Sequence, residues 1–304
     1  MRNFINKKLL GNYGTLERRN FLGVFVFLLP ALLVFVLFYL IPIYTVVTTA
    51  FTRWNGFTAP EFNGIGNFTR LFQHPAFSAS LKNMLYWTAI AASIHVFIGA
   101  VIGFIFYLKP LGWKLLRAVY MVPMVISGAA WAMIYRYIFS DSMGVLNNFI
   151  RIFNPEFSVE WFYISPYAFW AITFTWVFFA VIISLLVHGD LMAIPQELID
   201  AARVDGAHGW KLTKLILIPL CRQSLGTSMV LALTSRIGMY EAIILTSRGG
   251  PGNDTMSLPI LLVRAISDFQ HGFANAIALV MSLIALFVLW GANKIFRPFE
   301  NVYH

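Results

Sequence analysis

The sequence predicts an all-α polytopic membrane protein with six transmembrane helices. Of the 304 residues, 59% are apolar and only 12% are charged, whereas a soluble domain usually carries about 25% charged residues. Six apolar stretches reach the roughly 20 residues that a spanning helix needs. Lys and Arg residues concentrate in alternate connecting segments, which is the pattern that orients membrane helices.

The six predicted spans follow one another along most of the chain. Helices suit these segments because hydrocarbon offers no partners for backbone N–H and C=O groups, which a helix satisfies internally. The first span is too long and too far from the N-terminus for a secretory signal, and no A-x-A cleavage pattern follows it, so we expect it to be retained. The spans are 21–41, 84–107, 118–139, 167–187, 225–245 and 273–296.

The distribution of basic residues predicts the orientation of the chain. Fourteen of the 22 Lys and Arg residues lie in segment 1–20, in the connections 108–117 and 188–224 and at the end of the chain, and six lie in the other connections. Because Lys and Arg are enriched on the cytoplasmic side, both termini are predicted to be cytoplasmic. We therefore expect a cytoplasmic N-terminal segment, 1–20, a transmembrane domain, 21–296, and a cytoplasmic tail, 297–304.

Several function classes are excluded by what the sequence lacks. The single cysteine, Cys221, excludes an internal disulfide framework and a CxxC metal site. The net charge of +9 is spread along the flanks of apolar segments, unlike the clustered basic patch of a nucleic-acid-binding protein. No H-E-x-x-H, G-x-S-x-G or pair of intramembrane aspartates occurs. We expect no catalytic residue, no bound metal and no nucleic-acid partner.

A polar segment, "AIPQELIDAARVDGAHGWKLTKLILIPL", interrupts the apolar sequence between the fourth and fifth predicted spans. Pro195 suits the first turn of a helix, where its missing N–H costs nothing. Glu197 and Asp200 follow in the first turns, where acidic groups are favoured by the helix dipole. Ala201 and Ala202 leave a surface of small side chains that another protein can approach closely. The segment therefore predicts a short helix on the cytoplasmic side.

The second half of this segment predicts a turn and a second helix. Asp205 and Gly206 end the first helix, and Gly209 permits another bend. Residues 210–218 read as an amphipathic helix, and Pro219 leads back toward the membrane. Two interpretations stay open on physical grounds, a docking surface for another protein or a hairpin lying on lipid headgroups.

The spacing within this segment resembles the coupling motif of ABC-importer permeases. That motif has an acidic residue and two alanines, a glycine four residues after the second alanine, and a later hydrophobic-x-Pro. One departure is that an aspartate stands where glutamate is usual. The matching residues are Glu197, Asp200, Ala201, Ala202, Asp205, Gly206 and Pro219.

Other segments resemble the carbohydrate branch of the same family, the maltose, glycerol-phosphate and oligosaccharide permeases. The resemblance runs over most of residues 18–298. It is carried by "FNGIGNFTRLF" from Phe62, "YMVPMVISGAAWAMIYRYIF" from Tyr120, "LTSRGGPGNDTMSLPILLVRA" from Leu245 and "FQHGFANAIALVMSL" from Phe269.

The resemblance implies a type I ABC-importer permease fold with a cytoplasmic coupling helix within the loop 188–220. It implies a multi-pass subunit of a prokaryotic inner membrane that pairs with a second, homologous permease and docks on two ATPase subunits. An extracellular solute-binding protein would deliver a carbohydrate substrate. The chain contains no G-x-x-x-x-G-K-[ST], so we expect no ATPase activity in it; ATP and Mg would bind the partner ATPase.

The resemblance also implies that the spans flanking the coupling loop line the substrate pathway. Hydroxyls, a charge and flat aromatic rings in these spans suit a sugar, because rings stack on its C–H faces and polar groups bond its hydroxyls. The predicted pathway residues are Thr175, Phe178, Phe179, Ser235, Arg236, Met239, Tyr240 and Glu241.

Arg236 is the most informative of these residues because a charge inside a span is costly and usually functional. It is predicted to bind an anionic group, as in a uronate sugar or glycerol phosphate. Alternatively it pairs with Glu241, although five residues is poor helical spacing for a pair, or with the partner subunit.

Arg136 is expected to reach outward from a span end, and His95 to be a packed or hydrogen-bonded histidine. A stand-alone secondary sugar transporter or channel is the alternative function.

Overall fold

The computed structural model describes residues 23–296. The predicted cytoplasmic segments 1–20 and 297–304 lie outside the described residues. The regular secondary structure of the described residues is helical, apart from one short antiparallel hairpin. In chain order its elements are α1 (Gly23–Thr49), β1 (Thr52–Arg53), β2 (Glu61–Phe62), α2 (Gly66–Gln73), α3 (Pro75–Leu108), α4 (Trp113–Val125), α5 (Gly128–Ile138), α6 (Val145–Arg151), α7 (Tyr167–Phe174), α8 (Val181–Ala193), α9 (Gln196–Val204), α10 (Gly209–Leu220), α11 (Arg222–Ser235), α12 (Glu241–Ile244), α13 (Leu258–Ser267) and α14 (His271–Phe296).

Three of the helices, α1, α3 and α14, are long and apolar enough to cross a membrane without a break. They correspond to the first, second and sixth predicted spans. Both α1 and α3 extend beyond the predicted bounds, α1 to Thr49 and α3 back to Pro75. Polar residues near water can continue a helix that the apolar pattern alone would end earlier.

The third predicted span, 118–139, is not one continuous helix. Its two parts, α4 and α5, meet at an angle of 108°. Pro123 lies inside α4, which ends two residues later, and Ile126 is extended. The Ser127 hydroxyl then accepts a hydrogen bond from the Ala130 N–H and caps the start of α5. A proline and a capping serine in sequence therefore redirect the chain inside the predicted span.

The fourth and fifth predicted spans are also interrupted. In span four, α7 ends at Phe174, residues 175–180 are not helical, and α8 starts at Val181. In span five, α11 ends at Ser235, and only the single turn α12 follows, after a break at 236–240. Spans four and five, like span three, are therefore broken helices, and these breaks are the structure's main departure from the sequence pattern.

Close packing of α3 against α8 organises the centre of the bundle. A Cβ atom added to Gly99 would lie 2.6 Å from Ile183 Cγ2, and one added to Gly103 would lie 2.8 Å from the Ser184 carbonyl oxygen. Only glycine leaves room for this approach, in the manner of a G-x-x-x-G pair. The two helices thus form one rigid pair, to which α11 adds a third member.

Buried apolar side chains form two main clusters. One joins α3 and α7 to α12, α13 and α14, around residues such as Trp87, Ile172 and Ile277. The second runs along α8 and joins that helix to α3, α9, α10 and α11. The polar segment between spans four and five is therefore built on a buried apolar base.

Candidate coupling surface and translocation cavity

The helix α9 is the centre of the predicted coupling segment. Pro195 stands at its N-cap with φ −57° and ψ 134°, immediately before the first helical residue, Gln196. Glu197 lies in the first turn and Arg203 in the last, where each charge opposes the end of the helix dipole. The helix ends at Val204, as the sequence predicts.

Gly206 ends α9 through a Schellman motif. Its φ is +81°, in the left-handed region that glycine adopts without steric cost. The Gly206 N–H donates to the Arg203 carbonyl at 3.0 Å, and the Ala207 N–H donates to the Ala202 carbonyl at 2.9 Å. Ala202 and Ala207 are both buried in the second apolar cluster. The turn is thus held by backbone bonds and by a small apolar contact beneath it.

One face of α9 is anchored and the other is exposed. Ile199 and Ala202 are buried against Leu191 and its neighbours at the end of α8. Val204 is 88% exposed, the highest value among the large apolar residues of the segment, and Leu198 is also exposed. Apolar side chains held in solvent on a rigid base form a surface that a partner protein can cover.

The predicted coupling residues divide between these two faces. Asp200 accepts hydrogen bonds from Arg203 Nη1 and Gln196 Nε2, each at 3.1 Å, in an exposed pair that adds little stability by itself. Of the seven predicted coupling residues, the structure buries Ala202 and exposes Glu197, Asp200, Ala201, Asp205, Gly206 and Pro219.

Asp190 links the coupling segment to the fifth span. Its carboxylate accepts a 3.0 Å hydrogen bond from the Ser224 N–H in the first turn of α11. An acidic group at a helix N-terminus is favoured by the free N–H groups and by the dipole. The sequence motif did not predict this hydrogen bond, because the two residues lie 34 positions apart in the chain. The bond therefore joins the last turns of α8, the helix that leads into α9, to the start of α11.

A cavity of about 280 Å³ lies where the broken spans meet. Aromatic and aliphatic side chains form most of its wall, and one guanidinium lies in it. The lining residues are His95, Pro123, Met124, Trp131, Thr175, Trp176, Phe179, Val181, Ile182, Ile183 and Arg236. Three of the eight predicted pathway residues, Thr175, Phe179 and Arg236, line this cavity.

Side chains from other helices satisfy the non-helical backbone at 175–180. Trp131 Nε1 donates to the Thr175 carbonyl at 2.8 Å, and His95 Nδ1 lies 2.9 Å from the Val177 carbonyl. Tyr120 donates to the Phe178 carbonyl at 3.1 Å and accepts from the Ala180 N–H at 2.9 Å. Irregular backbone within a membrane requires such partners. The prediction of a hydrogen-bonded His95 is confirmed, whereas sequence reasoning missed Tyr120 and Trp131.

Arg236 stacks on an aromatic ring in this cavity. Its guanidinium carbon lies 4.2 Å from the centroid of the Trp176 ring, which is cation–π geometry. Its Nε also donates to the Ser235 hydroxyl at 3.1 Å. Within residues 23–296 the ion pairs are Arg151–Asp141 and Arg203–Asp200, so Arg236 is not paired with Glu241 there. The terminal N–H groups of the guanidinium therefore remain available to donate hydrogen bonds to an acceptor in the cavity.

The remaining predicted pathway residues do not line this cavity. Met239 is buried in the first apolar cluster. Phe178 is exposed and stacks on Phe174 with ring centroids 5.8 Å apart. Glu241 lies beside Gly128, where an added Cβ would be in hard contact with its carboxylate. Ser235 is exposed and Tyr240 is half-buried.

Comparison with known proteins shows the family of this chain. Residues 95–298 match the model of the binding-protein-dependent transport system inner membrane component. The chain belongs to this permease family. The match covers the coupling segment and the cavity residues described above, so the resemblance found in the sequence is confirmed.

Relatives of this permease are similar along nearly their whole length. The probable ABC transporter permease YurN of Bacillus subtilis is 28% identical, with 90% of this chain and 95% of the relative covered. The multiple sugar-binding transport system permease MsmF of Streptococcus mutans is 27% identical with the same coverage. The trehalose/maltose transport system permease MalF of Thermococcus litoralis is 26% identical, with 86% and 89% covered.

Solved structures show that the fold of this permease is also known. A chain of a bacterial ABC transporter that imports the acidic polysaccharide alginate superposes with a TM-score of 0.78 at 21% identity. The superposition covers 93% of this chain and 98% of that one. The expected type I ABC-importer permease fold is therefore confirmed.

Proposed function

We propose that this chain is one of two permease subunits of an ATP-driven importer for a sugar or oligosaccharide. The observation that carries the proposal is the anchored helix α9, whose exposed face presents Leu198, Ala201 and Val204 beside the carboxylates Glu197 and Asp200. This face has the form of a rigid docking surface for an ATPase subunit. ATP and Mg would bind that partner, and this chain would receive the motion.

The proposed coupling works through helices that move as one body. The second apolar cluster joins α9 and α10 to α8 and α11, and Asp190 bonds the start of α11. Closure of the ATPases would move α9 and tilt both spans. A rigid rearrangement between discrete packed states is a general way to transmit such motion. The cavity between the broken spans would then open alternately to the two sides.

The proposal includes a second permease and an extracellular binding protein. Helix α1 has a mean hydropathy of 3.0 in its most apolar window, and none of that window is buried. It contacts the rest of the described chain chiefly through its last turns, which lie against α14. Such a helix is available to a second membrane subunit. One of the alginate transporter structures contains an alginate-bound periplasmic protein, which supports delivery by a comparable protein here.

The proposed substrate is a carbohydrate that carries an anionic group. The names of MsmF and MalF refer to sugars, and the similar solved transporter imports an acidic polysaccharide. In this chain the Arg236 guanidinium stands over Trp176 in the cavity. An aromatic ring suits a sugar face, and a guanidinium suits a carboxylate or phosphate. A uronate sugar fits both groups, and glycerol phosphate fits the guanidinium.

The coupling role is tested by Gly206→Pro in the complete transporter reconstituted with its ATPase. Proline fixes φ near −65° and removes the N–H that bonds the Arg203 carbonyl, so the end of α9 cannot form. We expect ATP-driven uptake to fall to background and the ATPase to dissociate during purification. Gly189→Ala is the matched control, since Gly189 has open space around it, and it should transport normally.

A second variant covers the outcome in which Gly206→Pro fails to assemble. Asp200→Lys reverses one exposed charge on the docking face and leaves the buried face of α9 intact. We expect the spans to insert and ATPase binding to be lost. Normal ATP-driven uptake by both variants, or sugar uptake by the purified chain without ATP, would overturn the proposal and favour a secondary transporter.

A further inference from the structure

The connection between α5 and α7 has its polar groups inside and its apolar groups outside. The segment 140–166 folds over the end of the bundle and contains the short helix α6. Asn147 on this helix is fully buried. Its Nδ2 donates to the Val159 carbonyl at 2.9 Å, and its Oδ1 accepts from Trp161 Nε1 at 2.7 Å. The side that faces the segment's interior is therefore polar.

Arg151 strengthens this polar interior. Its Nε donates to the Phe157 carbonyl at 2.8 Å, and its Nη2 donates to the Asp141 carbonyl at 3.0 Å. The guanidinium also forms an ion pair with the Asp141 carboxylate at 3.4 Å. Asn147 and Arg151 lie four residues apart and so share one side of the helix. Their hydrogen bonds hold the backbone before α6, at Asp141, and the backbone after it, at Phe157 and Val159, against the helix.

The opposite side of α6 presents an apolar surface. Val145 and Phe149 lie one turn apart on α6. Ile152 and Phe153 follow in the turn directly after the helix, where the Asn154 N–H still bonds the Ile150 carbonyl at 3.0 Å, so the four side chains lie along one side. Each is exposed, Phe149 by 60% and Phe153 by 77%. A helix of a water-soluble surface has the reverse arrangement, with its apolar face toward the core. The polarity of this helix suits surroundings that are themselves apolar.

The position of the segment indicates the bilayer as those surroundings. Its two ends continue directly into α5 and α7, which belong to predicted membrane spans. Those helices expose Tyr137 and Trp170 close to the segment, and Tyr163 is exposed just before α7. Aromatic side chains concentrate at the membrane–water interface. Exposed aromatic side chains thus flank the segment that carries α6 on both sides along the chain, as expected at the boundary between membrane and water.

We propose that α6 is an interfacial helix whose apolar face inserts into the leaflet opposite the coupling segment, the outer leaflet in the proposed orientation. The occupant of this face is lipid, at the boundary between headgroups and acyl chains, where amphipathic helices lie parallel to the bilayer. The helix would fix the depth in the membrane of the connection between spans three and four. The inference rests on the membrane family and is independent of the coupling role and the substrate.

The test places nitroxide labels on the complete transporter in nanodiscs of phosphatidylethanolamine and phosphatidylglycerol. Phe149→Cys and Phe153→Cys report on the apolar face, and Glu156→Cys is the exposed control in the same segment. The unaltered chain controls for the native thiol, because its single cysteine, Cys221, is fully buried. Relaxation by oxygen measures contact with hydrocarbon, and relaxation by a water-soluble nickel chelate measures contact with water.

We expect the ratio of oxygen to nickel accessibility to be several-fold higher at residues 149 and 153 than at residue 156. Equal ratios at all three positions would overturn the proposal by placing the face in water. Protection of residues 149 and 153 from both agents would overturn it by placing a protein partner on the face. If one labelled variant fails to co-purify with the ATPase, the other gives the same readout, since the two side chains share the face.

Discussion

At the scale of single residues, Arg236 is the residue on which the proposed substrate selection depends. A charge at membrane depth costs about 2.5–3.5 kcal/mol on insertion scales, and stacking on Trp176 offsets part of that cost, on the order of 1–2 kcal/mol. Within residues 23–296 the guanidinium is hydrogen-bonded through Nε, to the Ser235 hydroxyl, so its terminal N–H groups remain as donors. This arrangement combines a ring for a sugar face with donors for an anionic group.

We expect Arg236→Ala to lower uptake of an anionic sugar about tenfold or more. A hydrogen bond to a charged group contributes about 1.5–3 kcal/mol, and 1.4 kcal/mol corresponds to tenfold. Uptake of radiolabelled substrate into proteoliposomes measures the effect. Arg136→Ala is the control, because Arg136 is exposed on α5 and outside the cavity. Equal, unimpaired uptake by both variants would remove Arg236 from the pathway.

At the scale of helices, the pair α3–α8 is the rigid centre of the bundle and the breaks beside it are the adaptable parts. The backbone at 175–180 is bonded by His95, Tyr120 and Trp131, which come from three other helices. The conformation of residues 175–180 therefore depends on hydrogen bonds from those three helices. A motion of α8 relative to α4 and α5 would exchange these bonds.

Gly103→Val should separate the two central helices. The added Cβ would lie 2.8 Å from the Ser184 carbonyl oxygen, and backbone cannot move aside as a side chain can. Overpacking of this kind costs about 1–3 kcal/mol, so we expect a lower Tm of the detergent-solubilised complex, measured by the change in intrinsic fluorescence. Gly291→Ala in α14 meets no atom within 4 Å and should leave Tm unchanged. A Tm of Gly103→Val equal to that of the parent would contradict the packing.

At the scale of the whole molecule, the six-span topology puts α9 and α6 on opposite sides of the membrane. Both lie at turns between spans, but they present opposite chemistry, since α9 exposes carboxylates and α6 exposes phenylalanines. The excess of Lys and Arg on the side of α9 indicates that this side is cytoplasmic. The orientation can be measured directly.

We expect a cysteine in place of Asp200 to react with a membrane-impermeant maleimide only when the cytoplasmic side is open to the reagent. A cysteine in place of Asn154, which is exposed at the other end, should react in intact spheroplasts. The parent chain should label weakly in both preparations, since Cys221 is fully buried. Labelling of residue 200 from outside would show that the topology is the opposite of the predicted one and would overturn the coupling proposal.

The sequence by itself determined the membrane class, the number of apolar stretches and the end of α9 at Gly206. Each of these depends on properties of neighbouring residues: apolar content over about 20 residues and the left-handed backbone that glycine permits. The same local reasoning found Arg236, because a charge in an apolar stretch is visible without a structure.

Only the tertiary structure decided where the spans break, which predicted pathway residues share a cavity, and that α6 is apolar on its outer side. The sequence pattern of spans four and five is that of continuous helices. Their breaks persist because side chains distant in sequence, such as Trp131 on Thr175 and His95 on Val177, bond the freed backbone groups. Hydrogen bonds between distant segments leave no periodic trace in the sequence, and so only the folded chain reveals them.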